Sequence, residues 1–171
     1  MGKDCHDTYV DLLEVQELAY VPSGLTITHL KREAESQEYG ACTFQMDHRR
    51  VKFRIAKITP TKIGQFVTLW KRLKDGPILP HAMEDPIDFF VVSVRTTEHF
   101  GQFVFPKAVL YEQGILSQDG KGGKLGIRVY PPWDITQNAQ AKKTQAWQCL
   151  YFFDIKTHLK MDTTLVQKLF G

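Results

Sequence analysis

Residues 49–58 read RRVKFRIAKI, and how this stretch alternates decides how the chain is read. In an extended strand Val51, Phe53 and Ile55 fall on one face and Arg50, Lys52 and Arg54 on the other. The turn residues TPTKIG (59–64) follow, then QFVTLWKR (65–72), so the segment predicts a hairpin with one apolar and one basic face. Working outward, YGACTFQM (39–46) predicts a strand on the N-terminal side. FFVVSV (89–94) is apolar on both faces and predicts a central strand, connected through TTEH (96–99) to FGQFVF (100–105). LGIRVY (125–130) is a further strand, closed by Pro131-Pro132.

Helical signals flank this sheet. Asp7 can cap a helix over about 8–19, with Tyr9, Leu12, Leu13 and Leu18 at near-helical spacing. Val21-Pro22-Ser23-Gly24 ends it, and a second, more polar helix is expected over about 26–36 with Leu30 and Ala34 inward. Pro106 suits the first position of a helix through residue 116, with Val109, Leu110 and Ile115 to bury. Helices are also expected over 137–149 and near 162–169, and LYFFDI (150–155) is expected to begin as helix and end as strand. The expected class is α+β, one mixed, mostly antiparallel sheet flanked by helices. A length of 171 residues predicts a single domain over 1–171, with an acidic helical part over 1–38 and a sheet-rich core over 39–155.

Composition is that of an ordinary globular protein, 43% hydrophobic and 24% charged. No apolar run approaches the ~20 residues of a membrane span. The N-terminus MGKDCHDT has no apolar signal region, and His6 stands where a myristoylation site wants Ser or Thr, so a cytoplasmic protein is expected. Cys5, Cys42 and Cys149 form no C-x-x-C pair and are expected as reduced thiols. The histidines at 6, 29, 48, 81, 99 and 158 show no metal-ligand spacing, so neither metal nor cofactor is expected.

Charge is strongly asymmetric behind a net +3. Residues 1–47 carry three basic and nine acidic side chains, residues 48–74 nine basic and no acidic ones, and residues 75–171 ten of each. The basic block is Arg49, Arg50, Lys52, Arg54, Lys57, Lys62, Lys71, Arg72 and Lys74. Such an excess marks a footprint for a polyanion, the alternative being a solvated sheet face guarded against aggregation. Trp70, Tyr130 and Trp133 lie near basic residues and suit stacking on unpaired bases; Trp147 is expected in the core.

Catalytic signatures are sparse. Gly120-Lys121-Gly122-Gly123-Lys124 lacks the P-loop spacing, and reads as a hairpin loop whose N–H groups and lysines could also touch phosphate. No serine lies in G-x-S-x-G, and Cys149 with His158 carries no dyad context. Two acidic-x-Lys triplets, Asp119-Gly120-Lys121 and Asp154-Ile155-Lys156, the second 20 residues after Asp134, are the nearest approach to a metal-dependent nuclease.

Four segments in order, TPTKIGQFVTLWKR (59–72), FGQFVFPKAVLYEQGIL (100–116), KLGIRVYPPWD (124–134) and QAKKTQAWQCLYFF (140–153), resemble the bacterial MepB family over about residues 39–153. Members accompany, in some bacteria, genes for a multidrug efflux pump and its repressor. The resemblance implies a fold related to the PD-(D/E)xK nucleases. In that fold an Asp opens one strand and an acidic-x-Lys triplet lies on its neighbour. Here the slots fall on Asp88 and on Gln102-Phe103-Val104, which can offer a hard cation only one charged ligand.

The expectation is therefore a non-catalytic nucleic-acid-binding protein of low sequence specificity on a degenerate nuclease-like scaffold. Single strands or RNA are weakly favoured over duplex. Arg49, Arg50, Lys52, Arg54, Lys57, Lys62, Trp70, Lys71 and Arg72 would form the binding face, extended by Lys121, Lys124 and Arg128. Two alternatives remain open: a divergent Mg-dependent nuclease using Asp88 with Glu33 or Glu35, and a protein-interaction module with a basic face. The acidic 1–47 segment could itself cover that face. Sequence leaves oligomeric state open.

Overall fold

Phe89–Arg95 takes the middle of the main sheet, as its two-sided apolar character requires: every side chain from Phe89 to Val94 is buried. The structure is a computed structural model that describes residues 4–155 and 159–171, with side chains from residue 10 onward. Helix α1 (Asp4–Val15) runs into a π-helical turn over Gln16–Tyr20 and a 3-10 turn over Val21–Ser23. Strands β1 (Ile27–Arg32), β2 (Cys42–Met46), β3 (Arg49–Ile55), β4 (Lys57–Ile58), β5 (Gln65–Thr68), β6 (Trp70–Arg72) and β7 (Ile78–Pro80) follow. The chain continues through β8 (Phe89–Arg95), β9 (Phe100–Pro106), α2 (Lys107–Glu112), β10 (Gly126–Val129), α3 (Ala139–Gln148), β11 (Phe152–Asp154) and α4 (Thr163–Phe170).

The six-stranded sheet has the order β1-β2-β3-β8-β9-β11. All neighbours are antiparallel except β3 and β8, which run parallel with Val51 opposite Phe89 and Ile55 opposite Ser93. The fold is mixed α+β. A parallel pair needs a long connection, and residues 56–88 supply it: β4 and β5 join β10 in a three-stranded sheet, and β6 pairs with β7.

Side-chain alternation assigns the two faces of the main sheet. Phe44, Val51, Phe53, Val91 and Val104 face Leu12, Val15, Ala19 and Tyr20 of the N-terminal helix and Val166 and Phe170 of α4. Phe90, Val92, Phe103, Phe105 and Phe152 face Val67, Ile127 and Val129 of the small sheet and Leu110 of α2. Between the first pair of layers Tyr20 Oη donates to Gln102 Oε1, and Gln102 Nε2 donates to Ser93 Oγ at 2.7 Å. Gly101 lets β11 pair closely, since a Cβ there would lie 2.3 Å from the Phe152 ring.

Several expectations need correction. Residues 26–36 hold no helix: Ile27–Arg32 is an edge strand, five of its six residues exposed, paired with β2 across a register shift between Thr28 and Lys31. Asp7 does not cap α1, which already includes it. The 49–58 and 65–72 segments do not form one hairpin within a single sheet. Only Lys57 and Ile58 pair with β5, because the strand leaves the main sheet at Ala56, whose N–H donates to Ser93 O at 3.0 Å. Trp70–Arg72 pairs instead with Ile78–Pro80. Pro106 ends β9 and caps α2 with φ −62° and ψ 144°, one place earlier than the first helical position. No helix among the described residues is long and apolar enough to cross a membrane.

Candidate functional site

Burial separates the basic side chains of β3. Arg54 is 1% exposed, so it cannot reach a phosphate from outside. Its guanidinium and the Lys52 ammonium both donate to the Glu33 carboxylate, from the segment just after β1. Burial alone would raise the Glu33 carboxyl, but the Arg54 and Lys52 charges and hydrogen bonds win and hold it below the usual carboxylate range. Arg72 donates to Glu35 at 2.7 Å and Lys71 to Asp85 at 2.5 Å. Arg49 reaches Gly171 O at 2.5 Å, and Lys57 lies 4.9 Å from the centre of the Tyr39 ring. Trp70 is half-buried with the Arg72 guanidinium 5.6 Å from its ring centre. Glu33 of the acidic N-terminal segment thus engages Lys52 and Arg54 of β3, and Glu35 engages Arg72 of β6. Arg50 alone of the alternating three keeps an exposed side chain.

Beside these pairs lies a cavity of about 400 Å³. Thr43, Gln45, Arg50 and Lys52 form its floor, and Lys71, His81, Asp85 and Ile87 rise beside them. His81 is 1% exposed and neither ring nitrogen has a hydrogen-bond partner among the described residues; Nδ1 stands 3.5 Å from Asp85 Oδ2. Burial pushes its imidazole down to about 4, and the Lys52 and Arg54 charges push the same way, so at neutral pH it is uncharged.

A larger groove of about 930 Å³ opens between β10, the 61–63 loop and α3. Lys62, Lys124, Arg128 and Lys143 line it with no carboxylate among the lining residues. The rings of Phe66, Tyr130 and Trp147 contribute to its walls. Arg128 holds the loop, donating to Thr59 Oγ1 at 3.0 Å and to Ile63 O and Gly64 O at 3.4 and 3.3 Å. Asn138 caps α3 by accepting from Ala141 N at 2.8 Å, and the positive end of that helix also opens on the groove. Thus three of the expected contact residues, Lys62, Lys124 and Arg128, converge although they lie up to 66 positions apart in the chain (128 − 62). Lys121 stays exposed in the 118–121 turn, outside the groove lining. Lys143 was missed; its signal was a polar helix, QAKKTQ, with few apolar residues to bury.

A family model described as MepB-like matches residues 33–154. The chain belongs to the MepB-like family. A solved structure, the crystal structure of MepB, is 38% identical, with a TM-score of 0.73 over 78% of this chain and 89% of that one. A search of the curated proteins finds no match. The stretch matched by the MepB-like model contains all the groove residues and, His29 apart, all those of the cavity.

In this MepB-like chain the residues expected at the nuclease slots do not meet. Gln102 pairs with Ser93 in register, while Asp88 precedes Phe89, five residues back along β8, roughly 16 Å away. The Gln102 amide is occupied by Tyr20 and Ser93, Val104 is wholly buried, and Asp88 Oδ2 accepts from the Arg50 N–H at 2.8 Å. Glu33 and Glu35, the carboxylates considered as partners of Asp88, are each engaged with cations. Among the described residues no three His, Cys, Asp or Glu side chains are placed to hold a metal ion. The Asp119 N–H donates to Glu84 Oε1 at 2.7 Å, which ties down the first acidic-x-Lys triplet. Lys156 of the second triplet and His158 lie outside the described residues, as do the side chains of Cys5 and His6. Burial pushes the Cys42 thiol up to about 12 and raises that of Cys149, so neither is an activated nucleophile.

Proposed function

We propose that the protein binds single-stranded nucleic acid, DNA or RNA, in the groove between β10 and α3, without cleaving it and with low sequence specificity. The observation that carries this reading is the groove lining: four cations, no carboxylate and three aromatic rings. Cations that follow a backbone and rings that stack on bases are what sequence-tolerant single-strand binding needs. A cytoplasmic setting fits the free thiols of Cys42 and Cys149. The binding face thereby moves from β3, where Lys52 and Arg54 share Glu33 and Arg54 is buried, to the groove, whose cations face no carboxylate.

Fluorescence anisotropy with labelled oligonucleotides tests it. Four phosphate contacts give a log–log salt slope of roughly −3 for single strands. Replacing Lys62, Lys124 and Lys143 together by Gln weakens binding to all sequences alike and brings the slope to about −1. Arg50→Gln leaves both unchanged. Unaltered affinity and slope in the folded triple variant would remove the groove from the reading, and absence of wild-type binding at low salt would remove the function. With Mg²⁺ or Mn²⁺ the expected result is intact oligonucleotide; cleavage that disappears in Asp88→Ala would establish the nuclease alternative instead.

A further inference from the structure

We propose that the cavity over β2 and β3 is a binding site for a small phosphate monoester, separate from the groove. Its floor is a patch of sheet on which Thr43 stands opposite Lys52 and Gln45 opposite Arg50 in register, all four on one face. Three cations, Arg50, Lys52 and Lys71, line the cavity against one carboxylate, Asp85, an excess of two positive charges. Adding Glu33 together with Arg54 leaves that excess unchanged. A monoester phosphate carries close to two negative charges at neutral pH, with three acceptor oxygens. A lone carboxylate would leave one of those charges uncompensated. The lysines are already fixed in direction by Glu33 and Asp85, so little side-chain freedom is lost when an anion arrives.

The rest of the exposed lining is mainly apolar, with His81 as a polar group at the wall, so it suits a body with both kinds of surface on that phosphate. His81 is wholly buried at the cavity wall with both ring nitrogens unpartnered, a costly arrangement for a side chain with no further use. A hydroxyl or ring nitrogen of the ester can pair with it, and Thr43 and Gln45 offer further donors and acceptors. Ile87 and Pro86 supply apolar cover on one side. About 400 Å³ sits at the small end of ligand pockets and limits the ester to roughly nucleotide size.

Histidine-labelled protein read by NMR tests the site, with adenosine monophosphate, ribose 5-phosphate, inorganic phosphate and adenosine as probes. The two monoesters shift the His81 imidazole resonances saturably and adenosine does not. Arg50→Gln, at an exposed side chain, weakens monoester binding by about tenfold, near 1.4 kcal/mol. Lys71→Met weakens it further, and Lys124→Gln in the groove leaves it unchanged. A His81 shift given only by a 5′-phosphorylated oligonucleotide assigns the monoester to a strand end; a shift by the free esters assigns it to a metabolite. The proposal is overturned if no phosphate probe moves His81 at about 10 mM, where any Kd below about 1 mM is near saturation. It is equally overturned if adenosine moves His81 as much as the monoesters, or if Arg50→Gln and Lys71→Met both bind as wild type. Loss of oligonucleotide binding in the groove variant leaves this site untouched, so the two readings fail separately.

Discussion

At Glu33 one carboxylate serves two cations, Lys52 and the buried Arg54. Removing it leaves a guanidinium in the protein interior without its charge partner, which is the expensive way to break such a pair. Glu33→Gln is expected to lower unfolding free energy by about 3 kcal/mol in urea melts. Glu35→Gln, which breaks the half-exposed pair with Arg72, is expected to cost less than about 1 kcal/mol. His81 sets a pH dependence. Its ordinary value of 6.5 falls to about 4 in the fold, so between these values the unfolded chain binds the extra proton. The stability associated with the neutral ring is present above pH 6.5 and is lost as pH falls toward 4, a change of at most about 3 kcal/mol. His81→Leu is expected to flatten that part of a stability-against-pH profile. Asp85, Lys52, Arg54 and Glu33 are the charges that act on the ring. Glu33 and Asp85 are both held below the usual carboxylate range, so their contribution falls away only at lower pH.

Strands β8 and β9 and strand β1 stand at opposite ends of the same sheet in every respect that governs opening. β8 and β9 pair over seven residues, from Phe89 opposite Pro106 to Arg95 opposite Phe100, with nearly every side chain buried. β1 is an edge with one half-buried residue and a break in its ladder. Hydrogen exchange is expected to be slowest in Val91–Val94 and Gln102–Phe105 and orders of magnitude faster at Thr28–Lys31. Equal protection in β1 and β8 would contradict this ranking. The same contrast explains what was legible. FFVVSV announces a central strand because both faces are apolar. ITHLKR has no periodicity to announce anything; it becomes a strand because β2 offers an unpaired edge, and propensity yields to that pairing.

Over the whole molecule, charge that is segregated along the chain is redistributed by folding. The acidic N-terminal segment places Glu33 and Glu35 against Lys52, Arg54 and Arg72 of the basic block. That engages three of the cations the sequence marks most strongly, while the groove, assembled from Lys62, Lys124, Arg128 and Lys143, is a cationic surface without carboxylates in its lining. Read alone, the sequence determines the mixed α+β class, the strands at 42–46, 49–55, 89–95 and 100–105, the late helices and the family. These follow from hydrophobic periodicity, turn residues and four family-like segments in order, all of which are local in the chain. Only the tertiary structure decided that β3 runs parallel to β8, that residues 27–32 join the sheet edge, and that Arg54 is buried while Lys62 and Lys143 share one groove. Periodicity states how much of a side chain is to be buried, and composition states its charge. Neither states which distant residue will stand opposite it, and for a charged side chain that partner decides whether it is available to a ligand.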